Sequence, residues 1–192
     1  MCENVSREDT IFCEENQSTE TEHNVIITIL SINMKQVLLR PASAEDFDAF
    51  YAIKADANNI KWGGFDKAPQ KDTFERWYKL QLEPNSKRKI FLLQIENRIV
   101  GFSSVNFTEP NEPELSYGVL SEEAGNGYGT EILKRTTDII GGGIFAWVSV
   151  NNSASMRCFE KAGYKQTDIS EERNLALFEE PQLFYKWIMV SK

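Results

Sequence analysis

The chain has 192 residues, 41% of them apolar, with twelve Phe and four Trp, which suits one domain with a substantial core. Its formal charge of −8 sits mostly in residues 1–33, which hold seven acids and one base; the remainder is nearly neutral and has no basic stripe of the kind nucleic acid requires. The only histidine, His23, lies in that first stretch, so histidine triads, HExxH zinc sites and histidine general bases are excluded from the rest of the chain.

In chain order, residues 1–33 are rich in Glu, Ser, Thr and Asn without a hydrophobic period, which predicts a weakly ordered acidic extension. They lack a basic n-region, and their longest apolar run, NVIITILSI, is too short to span a bilayer. A domain is expected over 35–192. QVLLR reads as a strand stopped by Pro41. Ser43 with Asp46 forms a capping box ahead of a helix carrying Phe47, Phe50, Tyr51 and Lys54. ANNIKWGGFDKAPQ reads as a loop, and Asp72 with Glu75 opens a second helix bearing Phe74, Trp77 and Tyr78. KIFLLQI and IVGFSSVNF are strands joined by ENR, ELSYGVL is another strand, and a helix runs from about Gly127 to Ile140. IFAWVSV, SASMRCFEKA, YKQTDI and LFYKWIMV follow as strand, helix, strand and strand. The order β α α β β β α β α β β predicts a mixed α/β domain.

Gly125, Gly127 and Gly129 stand where the fourth strand gives way to a helix. A helix start gathers free N–H groups and carries about half a positive charge. Phosphate reaches those amides when no Cβ blocks the approach. A Walker loop needs Gly-Lys-Ser/Thr, but this chain continues Gly-Thr-Glu. The Rossmann fingerprint needs G-x-G-x-x-G on the first strand of a parallel domain; here the spacing is G-x-G-x-G after a hairpin. From the loop alone, a phosphate cradle and glycines placed for turn geometry are both open.

ELSYGVLSEEAGNGYGTEIL followed by AWVSVNNSASMRCFEKAGYK resembles the GCN5-related N-acetyltransferase (GNAT) superfamily. The first stretch is similar to its acetyl-CoA pyrophosphate loop, Arg/Gln-x-x-Gly-x-Gly/Ala. The second is similar to its N-x-x-S … E-K-x-G-F/Y segment through Asn152, Ser155, Glu160, Lys161, Gly163 and Tyr164. Within the superfamily the chain looks most like the bacterial group of ribosomal-protein alanine and amino-sugar acetyltransferases. The resemblance implies an α/β acyl-CoA N-acyltransferase fold, its mostly antiparallel sheet splayed between strands 4 and 5. Ala124 stands where the family has Arg or Gln, and Phe159 where many members have a Tyr that protonates the leaving thiolate.

That resemblance implies acetyl transfer from acetyl-CoA to a primary amine. The acceptor is an amino sugar, a protein N-terminus or a small amine; a non-catalytic acyl-CoA-binding module is the alternative. Gly125, Asn126, Gly127, Tyr128, Gly129 and Thr130 would hold the pyrophosphate. The amide of Val119 or Leu120 would hold the thioester oxygen. Glu114 is the candidate base, with Glu112 and ordered water as competitors. Asn152 would bond the pantetheine, cap a helix, or both. Trp62, Phe65 and Asp66 would wall the acceptor site or plug the core. With Phe159 in place of Tyr, no dedicated acid is expected. Cys2, Cys13 and Cys158 are an odd count at no metal spacing, which fits a reducing compartment. The expectation is a cytoplasmic enzyme, monomeric or homodimeric, without metal, membrane or nucleic-acid partner.

Overall fold

A computed structural model describes residues 36–107 and 112–189. The chain divides into Met1–Gln36 and Val37–Lys192, and the description below concerns the second unit. The extension expected over 1–33, with Cys2, Cys13 and His23, lies outside the described residues.

Seven strands form one sheet in the order β1-β2-β3-β4-β5-β7-β6: β1 Val37–Pro41, β2 Arg88–Ile95, β3 Arg98–Asn106, β4 Glu114–Val119, β5 Phe145–Ser149, β6 Tyr164–Arg173 and β7 Gln182–Met189. The helices are α1 Phe47–Lys54, α2 Ala57–Gly63, α3 Lys71–Gln81, α4 Tyr128–Ile140 and α5 Ser153–Ala162. All strand pairs are antiparallel except β4 with β5. Among the described residues no helix is long and apolar enough to cross a membrane.

Two cores explain why KIFLLQI is apolar at nearly every position: both faces of β2 are covered. Ile90 and Leu92 face Phe47, Phe50, Ile53 and Tyr78 of α1 and α3. Phe91, Leu93 and Ile95 face the layer of Ile132, Leu133 and Phe159 from α4 and α5. The alternation is the period-two side-chain rule of an extended strand.

Two local expectations are corrected. Residues 57–63, read as loop, form α2, because Asp56 caps it by accepting from the amides of Asn58 and Asn59, and Gly64 ends it in the left-handed region at φ 81°. The helix α3 begins at Lys71 behind Gln70, so Asp72 lies inside its first turn instead of capping it. The Ser43–Asp46 capping box forms as expected, at a short 3-10 turn leading into α1.

Candidate active site

The parallel neighbours β4 and β5 share a single paired position, Glu114 with Phe145. Beyond it β4 continues on β3 alone, while β5 runs on β7. The strands therefore open a gap along β4 from Leu115 to Val119. The Leu120 amide donates to the Val100 carbonyl at 2.9 Å, so its N–H is spent on β3. Antiparallel alternation then turns the amides of Tyr117 and Val119 the other way, into the gap. Of the two predicted oxygen-holding donors only Val119 is so aimed. Tyr117, not predicted, shares its orientation. Asn59 Nδ2 donates to the Val119 carbonyl at 3.0 Å and to the Ile53 carbonyl at 2.9 Å, tying α2 to this open edge.

On the far side of the gap Tyr117 donates its hydroxyl to Ser155 Oγ of α5 at 3.3 Å. Burial, with the neighbouring Cys158 adding to it, pushes this phenol well above its ordinary pKa, so it stays protonated. The ring meets Phe159 edge-on at 5.7 Å. Phe159 is buried in an aromatic cluster with Tyr164 and Trp187 and has no proton to give. Tyr164 bonds Thr137 and belongs to the core.

The helix start at the glycines has no side-chain cap, and Gly127 itself is its N-cap. The first amides of α4, on Tyr128, Gly129 and Thr130, are thus the orphan donors of an uncapped terminus. Gly125 and Gly127 adopt φ of 87° and 81°, and a Cβ on either would meet nothing within 4 Å. Their bareness serves the left-handed turn that exposes these amides. Gly129 is different: it is buried, and a Cβ there would lie 3.0 Å from Cys158 Sγ and from the Tyr117 ring. Its lack of a side chain serves packing. Asn126 is exposed and donates to Glu123, and Arg98 pairs with Glu122 and Glu123, offsetting the acids just before the bend. A phosphate-sized anion fits this cradle: open space, orphan donors and a helix dipole coincide. Asn152 caps α5 through its side-chain oxygen, accepting from the Ser155 amide at 3.0 Å.

The opposite face of β4 carries Glu114, Ser116 and Gly118. Glu114 is half-buried where β4 and β5 meet. Its competitor Glu112 is ion-paired with Lys186 at 2.7 Å. Trp62, on α2, packs against Phe178 from the β6–β7 connection with ring centres 5.3 Å apart, and the buried Leu175 of the same connection touches the Gly64 turn. Sequence reading missed Phe178, since no local pattern marks a loop residue that meets a helix more than 100 positions away. Phe65 lies near Lys54, whereas Asp66 is exposed and, among the described residues, pairs with Lys67 alone, at 4.0 Å. A hollow beside the β2–β3 turn, lined by Ala49, Ala52, Arg98 and Glu122, shares only Leu120 with the predicted site. No group of His, Cys, Asp and Glu among the described residues is arranged to hold a metal.

This geometry has counterparts. A family model described as an acetyltransferase (GNAT) domain matches residues 36–165. Among solved structures, a putative acetyltransferase yncA from Salmonella typhimurium with its cofactor acetyl-CoA is 17% identical, with TM-score 0.66, covering 81% of this chain and 95% of that one. Spermidine N-acetyltransferase from Vibrio cholerae, in complex with CoA and spermine, is 16% identical, with TM-score 0.70, covering 79% and 94%. A putative phosphinothricin N-acetyltransferase is 17% identical, with TM-score 0.65, covering 82% and 100%. No curated protein matches. At these identities the structural likeness speaks for the fold. The open β4–β5 edge, the uncapped helix start beyond it and the match over residues 36–165 make this chain a member of the GNAT acetyltransferase family.

Proposed function

We propose that the protein transfers the acetyl group of acetyl-CoA to a primary amine. One conjunction carries this reading: an uncapped helix start behind two left-handed glycines stands at the mouth of the gap between β4 and β5. The amides of Tyr128, Gly129 and Thr130 would hold the diphosphate, with Asn126 and the turn glycines shaping the bend and Asn152 beside the pantetheine. Acetyl-CoA supplies the activated acetyl group. One of the gap-facing amides, that of Tyr117 or that of Val119, would donate to the carbonyl oxygen as it gains charge. Glu114 takes the proton of the incoming amine through water. With Phe159 aromatic and buried, the thiolate leaves to solvent. The likeness to a spermidine N-acetyltransferase and to a putative phosphinothricin N-acetyltransferase makes a small amine the natural first acceptor class to test.

A second reading is favoured by Ala124 and Phe159, which remove two side-chain functions the family resemblance implies: an acyl-CoA-binding module without turnover. A thiol-release assay with acetyl-CoA over pooled amines, with mass spectrometry of the product, separates them. The transferase reading expects CoA release together with an N-acetylated product. Tight CoA binding with no release on any pool would leave only the binding module.

A further inference from the structure

Lys54, in the last turn of α1, is the unexplained charge on the Glu114 face of the sheet. Its ammonium lies 5.0 Å from the Phe102 ring centre and 6.0 Å from that of Phe65. Phe102 is buried on β3 opposite Gly118, where a Cβ would come within 2.6 Å of the Phe102 ring. Lys54 therefore sits over the part of the sheet that flanks the open edge of β4.

A second cation approaches from the other side. Arg88, on β2, donates to Ser104 Oγ at 3.0 Å. Ser104 pairs with Ser116 on β4, and Arg88 itself faces Asn106, which pairs with Glu114. The two cations sense one another: burial first, then repulsion from Arg88, holds the Lys54 ammonium down at about 8. Neither forms an ion pair with a carboxylate among the described residues, although Arg40, Lys71, Lys79, Arg98, Arg135, Arg173 and Lys186 all do. Aromatic faces offset part of the cost of burying Lys54. They do not neutralise two like charges, and a bound anion would.

We infer that Lys54 and Arg88, with the Ser104 and Ser116 hydroxyls, form a subsite for an anionic group on the acceptor, so that the acetylated amine belongs to a molecule that also carries a carboxylate or a phosphonate-like group. This deepens the proposed transferase reading and rests on it. The arrangement is complementary at both ends: Glu114 attracts the ammonium end of such an acceptor, and the two cations attract its anionic end. A polycation would meet repulsion on this face instead.

The test measures thiol release from acetyl-CoA with four acceptor pools: free amino acids, the same amino acids as carboxamides, aminoalkylphosphonates, and polyamines. We expect kcat/KM at least tenfold higher for the amino acid or the phosphonate pool than for carboxamides and polyamines, and the better of those two names the anion. Lys54→Met and Arg88→Gln should each raise KM for the preferred acceptor about tenfold or more while leaving KM for acetyl-CoA unchanged. Arg88→Lys should recover part of the loss, which a purely structural role would not produce. Turnover of carboxamides or polyamines at equal or greater kcat/KM would overturn the subsite while leaving the transferase reading intact. So would a fall in kcat at unchanged KM in Lys54→Met, which would make Lys54 a proton acceptor. Absence of release from every pool would sink the transferase reading beneath it.

Discussion

Glu114 and the gap-facing amides lie at fixed intervals along one strand, and that spacing limits which of them can cooperate. At about 3.3 Å per residue, Glu114 is roughly 10 Å from Tyr117 and roughly 16 Å from Val119. A carboxylate working through one water can serve an amine near Tyr117 and cannot serve one near Val119. Glu114→Gln is expected to lower kcat about 100-fold and to leave KM for acetyl-CoA unchanged. An unchanged kcat/KM at neutral pH would take Glu114 out of the chemistry. Gly129 shows the same need for distances. In sequence it is one of three equivalent glycines, yet its neighbours Tyr117 and Cys158 come from two other elements. Gly129→Ala should lower stability by about 1–3 kcal/mol in chemical denaturation, because the added methyl overpacks that contact. Adding Cys158→Ala should restore part of it. A Gly129→Ala protein as stable as the parent would contradict the packing role of its bare Cα.

At the scale of elements, the sequence was most informative where caps and periods are local. Ser43 and Asp46 marked the entry to α1, and SASMRCFEKA coincides with α5 from end to end. It was least informative for α2, a two-turn helix too short to show a period, held by Asp56 and by Asn59 reaching across to β4. The entry to α1 has a pH signature. Arg40 donates to both oxygens of Asp46 at 2.7 Å, and the Ser43 amide and hydroxyl add two further bonds. Led by Arg40, these hold the Asp46 carboxyl at about 2. Since the folded value lies below the unfolded one of about 3.9, the stabilisation is complete above pH 4–5 and is lost as pH falls through about 2. It amounts to roughly 2 kcal/mol. Urea unfolding should show Asp46→Asn less stable by that amount at pH 7 and converging on the parent near pH 2; a constant difference across this range would contradict the assignment. The Trp62–Phe178 contact joins α2 to the β6–β7 connection, which the proposed function sets beside the acceptor. Trp62→Ala should raise KM for the acceptor about tenfold without changing KM for acetyl-CoA. A lower Tm with both KM values unchanged would make Trp62 purely structural.

For the whole molecule, the element order was enough to read a mixed α/β domain. The splay of β4 from β5 came only through family resemblance, because a missing ladder leaves no local trace: ELSYGVL and IFAWVSV are as strand-like as strands that pair along their length. Likewise the charge balance hid the Lys54 and Arg88 pair, since a nearly neutral domain can still gather like charges where the fold brings separate elements together. In the proposed function, gap and bend are joined by the path of one extended thioester carrier, from the start of α4 to the open edge of β4. Titrating acetyl-CoA into 15N-labelled protein and following each backbone amide tests that path most directly. We predict saturable shifts at Tyr128, Gly129 and Thr130 together with Tyr117 and Val119. Saturable binding that leaves these five amides unmoved and shifts another region instead would contradict it.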